Sequence, residues 1–305
     1  MATTATDAAP AAAATARRST KRKTDKTYYF FLMPSVILFT LAITVPAIVG
    51  FFYSFTNSIG FGDWRFIGLT NYVAALGDPA ILSSYLFTFG FSTATVILVN
   101  VIAFLLAVGL TSRIRFKTVL RTIFVIPMVV SGIIIAFVFQ FLFSNSLPEF
   151  GRVLGIETLS STILANPDLA WISIVIVTAW QTMPGTMLIY IAGLLSIPGD
   201  VYEASAIDGA SKRQQLLWIT LPLRFGYVVI NVILGFKNYL NAYDIIVGLT
   251  DGGPGTATRS IAMTIISGFS SGDYAYQMAN ATMFFVIAVL ISVLQLSLTR
   301  GKGQL

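Results

Sequence analysis

Polar side chains within long apolar stretches are the residues of this chain whose types and spacing could do chemistry. Lys237, Asn241 and Asp244 follow an i, i+4, i+7 spacing that would place them near one face of a helix. Amide and charged groups are costly against lipid, but they can hydrogen-bond a polar solute where they line a water-filled cavity. We therefore predict a solute path lined by Gln181, Lys237, Asn238, Asn241, Asp244 and Asn280. Hydrogen bonding between helices is the competing interpretation, and we favour it for Asn100 and Asn231.

The residue types that most enzymes use are missing. The 305 residues include no cysteine and no histidine, which excludes disulfides, thiolate nucleophiles, histidine acid–base catalysis and metal sites built from those ligands. The phosphate-binding pattern G-x-x-x-x-G-K-[ST] is also absent, since Gly301-Lys302-Gly303 lacks its hydroxyl residue. We expect no catalytic residue, no metal site and no cofactor bound by this chain. An enzyme that acts within the membrane therefore ranks third among the functions considered for this chain.

Composition is typical of a membrane protein. Only 10% of the residues are charged and 56% are hydrophobic, whereas about 25% charged residues is usual in a soluble domain. A helix needs roughly 20 apolar residues to cross a bilayer, and six stretches are long enough, the fifth being weaker because it contains Lys237 and Asp244. The predicted spans are residues 29–56, 82–110, 120–143, 169–195, 223–249 and 276–299. They predict an all-α membrane protein with one six-span domain over residues 28–300.

The positions of the basic residues predict the orientation of the spans. Most of the 19 Lys and Arg fall in the N-terminal tail, the second and fourth connections and the C-terminus, and basic loops are typically cytoplasmic. Six spans put both termini on this same side. We expect residues 1–27 to be a disordered basic tail at the lipid surface and residues 301–305 to be a short cytoplasmic tail. A cleaved secretory signal is the alternative, but the apolar run that follows residue 27 is longer than a signal core of about 7–15 residues.

The predicted cytoplasmic loop at residues 196–222 interrupts the apolar pattern with signals for two short helices. Asp200 is predicted to cap the first helix, and Gly209 to end it in a left-handed conformation. The S-x-x-Q pattern that begins at Ser211 repeats the capping signal for a second helix. Pro222 is then expected to break or kink the chain before the fifth span. The loop is therefore predicted to project as a helical hairpin.

Three short motifs resemble those of permeases of ATP-binding-cassette importers. One resembles their EAA loop, with Ser205 in place of the second alanine. It consists of Glu203-Ala204-Ser205, Asp208-Gly209-Ala210 and Ile219-Thr220-Leu221-Pro222. The other two resemble segments of the carbohydrate-uptake branch and are Phe66-Ile67-Gly68-Leu69-Thr70-Asn71-Tyr72 and Leu249-Thr250-Asp251-Gly252-Gly253-Pro254-Gly255. The resemblance covers about residues 28–300 and is closest to the maltose-type larger permease subunit in a six-span form.

This resemblance implies a type I importer permease fold and carbohydrate import by alternating access in a bacterial or archaeal plasma membrane. It implies coupling to a separate ATPase through Glu203, Ala204, Ser205, Asp208, Gly209, Ala210, Ile219, Leu221 and Pro222. It also implies a loop that faces an extracellular solute-binding protein, at Asp251, Gly252, Gly253, Pro254 and Gly255. The implied partners are a second homologous permease, two cytoplasmic ATPase subunits that hold ATP and Mg²⁺, the solute-binding protein and membrane lipid, without nucleic acid. Transport of glycerol phosphate or polyols, and a gradient-driven secondary transporter, are the alternatives.

Overall fold

The computed structural model describes residues 26–112 and 114–300. Of the tail predicted at residues 1–27, residues 1–25 lie outside the described residues, as does the tail predicted at residues 301–305; Lys26 and Thr27 begin the first helix. Within the described ranges the chain is helical, and its only β-pairing is an isolated bridge between Thr56 and Phe66. The prediction of an all-α protein is confirmed.

Fifteen α-helices follow one another in the described residues, some of them joined by short π-helical or 3₁₀ segments. They are α1 (Lys26–Phe39), α2 (Val45–Tyr53), α3 (Thr70–Gly77), α4 (Pro79–Thr111), α5 (Lys117–Val129), α6 (Gly132–Phe141), α7 (Leu147–Leu154), α8 (Pro167–Leu195), α9 (Gly199–Ile207), α10 (Lys212–Gln214), α11 (Leu221–Leu223), α12 (Phe225–Leu240), α13 (Asp244–Thr250), α14 (Ile261–Ser270) and α15 (Tyr274–Arg300).

Five helical stretches are long and apolar enough to cross a membrane. They are Tyr28–Tyr53, Pro79–Thr111, Gly132–Leu154, Pro167–Leu195 and Tyr274–Ser297. A sixth crossing results if Lys212–Leu223 and Phe225–Leu240, which meet at a 65° bend, are counted as one span. By length and composition the stretches therefore number five, or six with the bent pair, against the six predicted, and Gly132–Leu154 and the bent pair are offset from the predicted residues 120–143 and 223–249.

The core is built around α4 and α8, which are 33 and 29 residues long and pack against each other. Both begin with an acceptor side chain followed by a proline, a favourable helix start because proline lacks the N–H that would be unpaired there. Asp78 accepts from the backbone N–H of Ala80 at the start of α4, and Asn166 accepts from two backbone N–H groups at the start of α8. Helix α12 packs against both. The fully buried Phe91 and Met187 lie in this core.

Each of the three π-helical segments in the described residues ends two residues before a proline. Thr40–Thr44 precedes Pro46, Leu142–Ser146 precedes Pro148, and Gln215–Thr220 precedes Pro222. A proline lacks the N–H for a helical hydrogen bond, and its ring clashes with the carbonyl four residues earlier. A wider turn ahead of the proline relieves this clash. The kink predicted at Pro222 thus begins before the proline and ends in the bend at Arg224.

Two predicted spans are each divided into separate helices. Residues 120–143 contain the end of α5, an extended Val130, and the start of α6 at Gly132, where β-branched and glycine residues are poor helix formers. Residues 223–249 contain α12 and α13. Helix α12 ends because the Asn241 side chain donates to the carbonyl of Lys237, while the backbone N–H of Asn241 turns to Asn238. The prediction that Lys237, Asn241 and Asp244 share one helix face is therefore wrong.

Candidate functional site

The two helix breaks meet at the middle of α8. The Gln181 side-chain nitrogen donates to the carbonyl of Val130, in the α5–α6 break, at 3.1 Å. A Cβ placed on Gly132 would lie 3.5 Å from that nitrogen and 3.7 Å from the Cβ of Asp244, the first residue of α13. Gln181 is central in the 29-residue α8, about 20 Å from either end at 1.5 Å per residue. The unwound backbone of both breaks therefore lies near half-depth of a long apolar helix.

Unwound backbone at this depth needs hydrogen-bond partners for its polar groups. Its N–H and C=O groups lack helical partners, which a membrane tolerates only where the segment is buried in protein or lines a water-filled cavity. Gln181 satisfies one of these carbonyls. Beyond the breaks, α6 and α13 pack so closely that a Cβ on Gly248 would lie 2.6 Å from the Cβ of Ala136. The two half-helices are thus held together beyond the breaks.

Four of the predicted path residues flank the α12–α13 break. Lys237, Asn238, Asn241 and Asp244 are all exposed. The side-chain nitrogen of Asn241 donates to the carbonyl of Lys237 at 2.9 Å. The structure therefore brings together Gln181 and Asp244 beside Gly132, with Asn238 and Asn241 at the adjoining end of α12.

The predicted loop between α8 and α12 forms a compact hairpin of α9, α10 and the π-helical segment that follows. Gly209, with φ of +81°, ends α9 as predicted. Its N–H donates to Ala206 O at 3.1 Å, and the N–H of Ala210 donates to Ser205 O at 2.9 Å, the two bonds of a Schellman C-cap. Ser211 and Gln214 form the capping box at the start of α10. Both predicted end signals are confirmed.

The predicted cap at Asp200 is wrong. Helix α9 already begins at Gly199, directly after Pro198, and no side chain caps it. Asp200 lies in the first turn instead, where its negative charge still favours the positive end of the helix dipole.

The two arms of the hairpin are joined by buried hydrogen bonds. Gln215 is almost fully buried, and its amide nitrogen donates to Ser205 Oγ at 2.9 Å and to Tyr202 O at 3.3 Å. The hydroxyls of Tyr202 and Thr220 are 2.9 Å apart. Ser205 is the position where this chain departs from the EAA pattern. The departure therefore supplies a hydrogen-bond partner for Gln215 that alanine could not supply.

The remaining coupling candidates lie on the outside of the hairpin or along its second arm. Glu203, Ala204, Asp208 and Gly209 are exposed, and Pro222 is exposed at the far end. The half-buried positions are Ala210, Ile219 and Leu221. Ile207 is 87% exposed beside the turn. The tip thus presents an acidic and apolar surface on a rigid frame.

The region that contains both breaks and the hairpin matches a known protein family. The family model described as binding-protein-dependent transport system inner membrane component matches residues 99–301. This chain belongs to that family. This permease is therefore a membrane component of a transport system and not an enzyme.

Relatives resemble the permease over most of its length. The probable starch degradation products transport system permease protein AmyD of Thermoanaerobacterium thermosulfurigenes is 32% identical over 276 residues, which cover 90% of the permease and 94% of that protein. The trehalose/maltose transport system permease protein MalF of Thermococcus litoralis is 33% identical over 279 residues, covering 91% and 95%. A similar solved structure is a bacterial alginate ABC transporter in complex with an alginate pentasaccharide-bound periplasmic protein. The match to one of its chains covers 92% of the permease and 96% of that chain, with a TM-score of 0.80 and 19% identity. The family resemblance and the importer permease fold predicted from the motifs are confirmed.

The segment predicted to face a solute-binding protein is a tight loop in the permease. Asp251, Gly252 and Gly255 all have positive φ, a conformation that favours glycine. The loop is closed by Thr258, whose hydroxyl donates to Gly253 O at 2.6 Å and lies 2.8 Å from the Thr250 hydroxyl. The loop borders a cavity of about 570 Å³ whose lining includes residues of α6 and of the 3₁₀ segment Ile163–Ala165.

Asn280, predicted to line the path, is fully buried in α15. Its side-chain nitrogen donates to the Gln277 side chain at 3.1 Å, and its backbone carbonyl accepts from the Tyr85 hydroxyl at 3.5 Å. The Tyr85 contact links α15 to α4. Asn280 therefore lies within the helix packing.

Asn100 and Asn231 also lie between helices. Asn100 accepts from the Tyr190 hydroxyl at 2.6 Å, and Asn231 donates to Thr186 O at 3.4 Å. The interpretation that we favoured for these two residues is confirmed.

Sequence reasoning missed the contribution of the α5–α6 break. Val130 offers a carbonyl to Gln181, and Gly132 lies beside Gln181 and Asp244. The signal was the run Val129-Val130-Ser131-Gly132 shortly after Pro127. Such residues are poor helix formers, and they coincide here with the predicted middle of a span.

Proposed function

We propose that the permease is the membrane-spanning subunit of an ATP-driven carbohydrate importer that works by alternating access. The observation that carries this proposal is the meeting of two broken helices and Gln181 at half-depth, because discontinuous helices form substrate sites in transporters. The sugar-transport names of the two relatives and the alginate transporter support a carbohydrate as the substrate.

The chemistry of the break residues suits hydroxyl groups. The carboxamides of Gln181, Asn238 and Asn241 can each donate and accept hydrogen bonds, and the carboxylate of Asp244 accepts them. A sugar offers both kinds of partner around its ring. The exposed side chains on α12 and at the start of α13 would complete the path against a second homologous permease.

The hairpin is the proposed coupling element. It continues α8, which carries Gln181, and leads through α11 into α12, which ends at the second break. A push on the rigid tip would therefore act on both helices that flank the path. Reversing a two-state equilibrium from 1:99 to 99:1 takes about 5.5 kcal/mol. Two partner ATPases, which would hold the ATP and Mg²⁺, would supply it, with Glu203 and Ile207 at the contact.

The proposed orientation follows from charge. The hairpin includes Lys212 and Arg213 and is followed by Arg224, so the positive-inside rule favours a cytoplasmic hairpin and cytoplasmic termini in a bacterial or archaeal plasma membrane. The loop at residues 251–255 would then face outward, where a solute-binding protein delivers the sugar. Both proposed contacts thus fall on the side where their partner is available.

Reconstitution tests this function. The permease, its second permease and the ATPase are placed in proteoliposomes with the solute-binding protein outside, and uptake of radiolabelled maltose and trehalose is measured. We expect uptake that requires ATP and persists with ionophores. ATP-independent uptake abolished by ionophores would instead indicate the gradient-driven alternative, and preferential uptake of glycerol 3-phosphate would indicate the other substrate class.

Variants test the path within the same assay. Gln181→Ala and Asn241→Ala are expected to lower uptake while the assembled complex still hydrolyses ATP. Asn145→Ala is the matched control, because this exposed amide bonds only to Phe141 O within its own segment among the contacts of the described residues. Unchanged uptake in both path variants would refute the proposed lining.

A further inference from the structure

An external segment of the permease displays apolar side chains that neither the path nor the hairpin uses. The segment runs from the loop after α2 through α3. Its exposed large apolar residues are Ile59, Phe61, Trp64, Phe66, Leu69, Val73 and Leu76. Single exposed apolar residues are common, but a contiguous group of this size marks an interaction surface.

Helix α3 carries its exposed apolar side chains on one face. Leu69, Val73 and Leu76 are spaced by four and three residues, so they line the same side of the helix. Val73 is 69% exposed, whereas Ala75 on another side is fully buried. Thr70 and Ala74 present a smaller, less apolar face to the outside. Helix α3 is therefore amphipathic, with its apolar stripe directed away from the protein.

Hydrogen bonds hold this segment rigidly. The Asn71 amide donates to Ser54 O at 2.9 Å and to Thr56 O at 2.8 Å. The Tyr72 hydroxyl lies 2.6 Å from Ser54 Oγ, and the N–H of Ala275 donates to Ser58 O at 3.1 Å. The inward residues of the F-x-G-L-x-N-Y motif thus fasten the loop, and its Phe66 and Leu69 remain on the outside.

The contacts of Trp64 place the segment at the depth where the first span ends. The Trp64 ring lies 5.4 Å from the ring of Phe52 and 6.1 Å from that of Tyr53, and Tyr53 is the last residue of that span. On the other side, α4 enters the membrane directly after α3 and exposes Leu86 to 76%. The exposed apolar residues of this segment therefore adjoin Phe52 and Tyr53 at the end of the first span and lead directly into the exposed surface of α4.

We propose that residues 59–76 form an interfacial anchor that lies in the leaflet where the first span emerges. Their occupant is the phospholipid interface: the rings of Phe61, Trp64 and Phe66 and the stripe of α3 contact glycerol and upper acyl groups. Aromatic rings are enriched at this depth, and amphipathic helices bury their apolar face there. Asp63 and Arg65, which are both exposed, lie at the level of the charged headgroups.

The absence of cysteine from the sequence permits a direct test with single nitroxide labels. Val73→Cys places a label on the apolar stripe, and Ala74→Cys places one on the neighbouring exposed face as a matched control. Leu86→Cys supplies a lipid reference. The labelled full-length permease, assembled with its partners, is studied in nanodiscs of phosphatidylethanolamine and phosphatidylglycerol by collision with oxygen and with a water-soluble nickel chelate.

At position 73 we expect more collisions with oxygen than with nickel, as at position 86, and at position 74 the reverse. The logarithm of the oxygen-to-nickel ratio should thus change sign between adjacent residues. Nickel-dominated collisions at position 73 would show that the stripe faces water and would overturn the proposal. An immobilised label at position 73 that neither reagent reaches would show a protein partner there and would overturn it equally. Because Val73 and Ala74 are both exposed, neither change removes a packed side chain.

Discussion

The turn at Gly209 allows a defined change in the coupling hairpin. Its φ is +81°, and a Cβ placed there would meet nothing within 4 Å. Gly209→Ala therefore adds no clash, and its cost is that of an L-residue in the left-handed conformation, about 1–2 kcal/mol. An energy of this size lowers the equilibrium constant of the intact turn about 5–30-fold. We predict that the variant hydrolyses ATP but transports less sugar for each ATP hydrolysed.

Two further variants separate backbone strain from other effects. Gly199→Ala is the matched control, because Gly199 also has open space around its Cβ position but does not have a positive φ. Gly209→Asn should lose less coupling than Gly209→Ala, since asparagine is tolerated at this cap position. The assay compares initial uptake with ATP hydrolysis in the same proteoliposomes. Wild-type coupling in Gly209→Ala, or an equal loss in Gly199→Ala, would refute the reasoning.

Three changes should alter the thermal stability of the solubilised permease. Ser205→Ala removes a partner of the buried Gln215 and should cost about 1 kcal/mol, whereas adding Gln215→Met should recover part of it, because the Gln215 amide is then gone while Tyr202 O loses its bond from that amide; no recovery would contradict this pairing. Asn71→Ala leaves the backbone carbonyls of Ser54 and Thr56 without this donor and should cost about 2–3 kcal/mol. An unchanged melting temperature would show that these two hydrogen bonds do not stabilise the fold. Gly248→Ala should cost about 1–3 kcal/mol by forcing α6 and α13 apart, while Gly90→Ala, with nothing within 4 Å, should not; equal effects would contradict the close packing.

Local signals in the sequence predicted local structure well. The left-handed glycine at 209 and the capping box at Ser211 depend on a few neighbouring residues, and both are present. Four of the predicted spans, at residues 29–56, 82–110, 169–195 and 276–299, likewise correspond to long apolar helical stretches, because length and hydropathy decide whether a helix can cross a bilayer. The cap predicted at Asp200 was wrong, since the cap position is Pro198, two residues earlier than its pattern indicated.

Competition between side chain and backbone made the helix breaks harder to predict. The span pattern at residues 223–249 contains no proline after α12 begins, yet the Asn241 side chain takes the carbonyl of Lys237 and ends the helix. The meeting of Gln181 with Val130 O joins residues 51 positions apart, so it depends on how α5, α6 and α8 pack. Spacing along the sequence does not contain this information.

Polar residues in spans posed the same difficulty. Asn280 and Asn241 have the same side chain, but Asn280 is fully buried and Asn241 is exposed at a helix end. Which of them faces a cavity is decided by the neighbouring helices. The bond between Ser205 and Gln215 was likewise hidden, because it joins two arms of a hairpin whose folding the sequence predicted only as separate helices.

The central claim is that the hairpin projects into the cytoplasm and is covered there by a separate ATPase. Ile207→Cys tests it directly, since Ile207 is 87% exposed beside the turn and the natural chain has no cysteine. A membrane-impermeant maleimide is applied to intact cells and to inside-out vesicles, with and without the assembled ATPase. The account predicts labelling only in inside-out vesicles, and protection when the ATPase is bound. Labelling from outside intact cells, or labelling that the ATPase does not reduce, would contradict it.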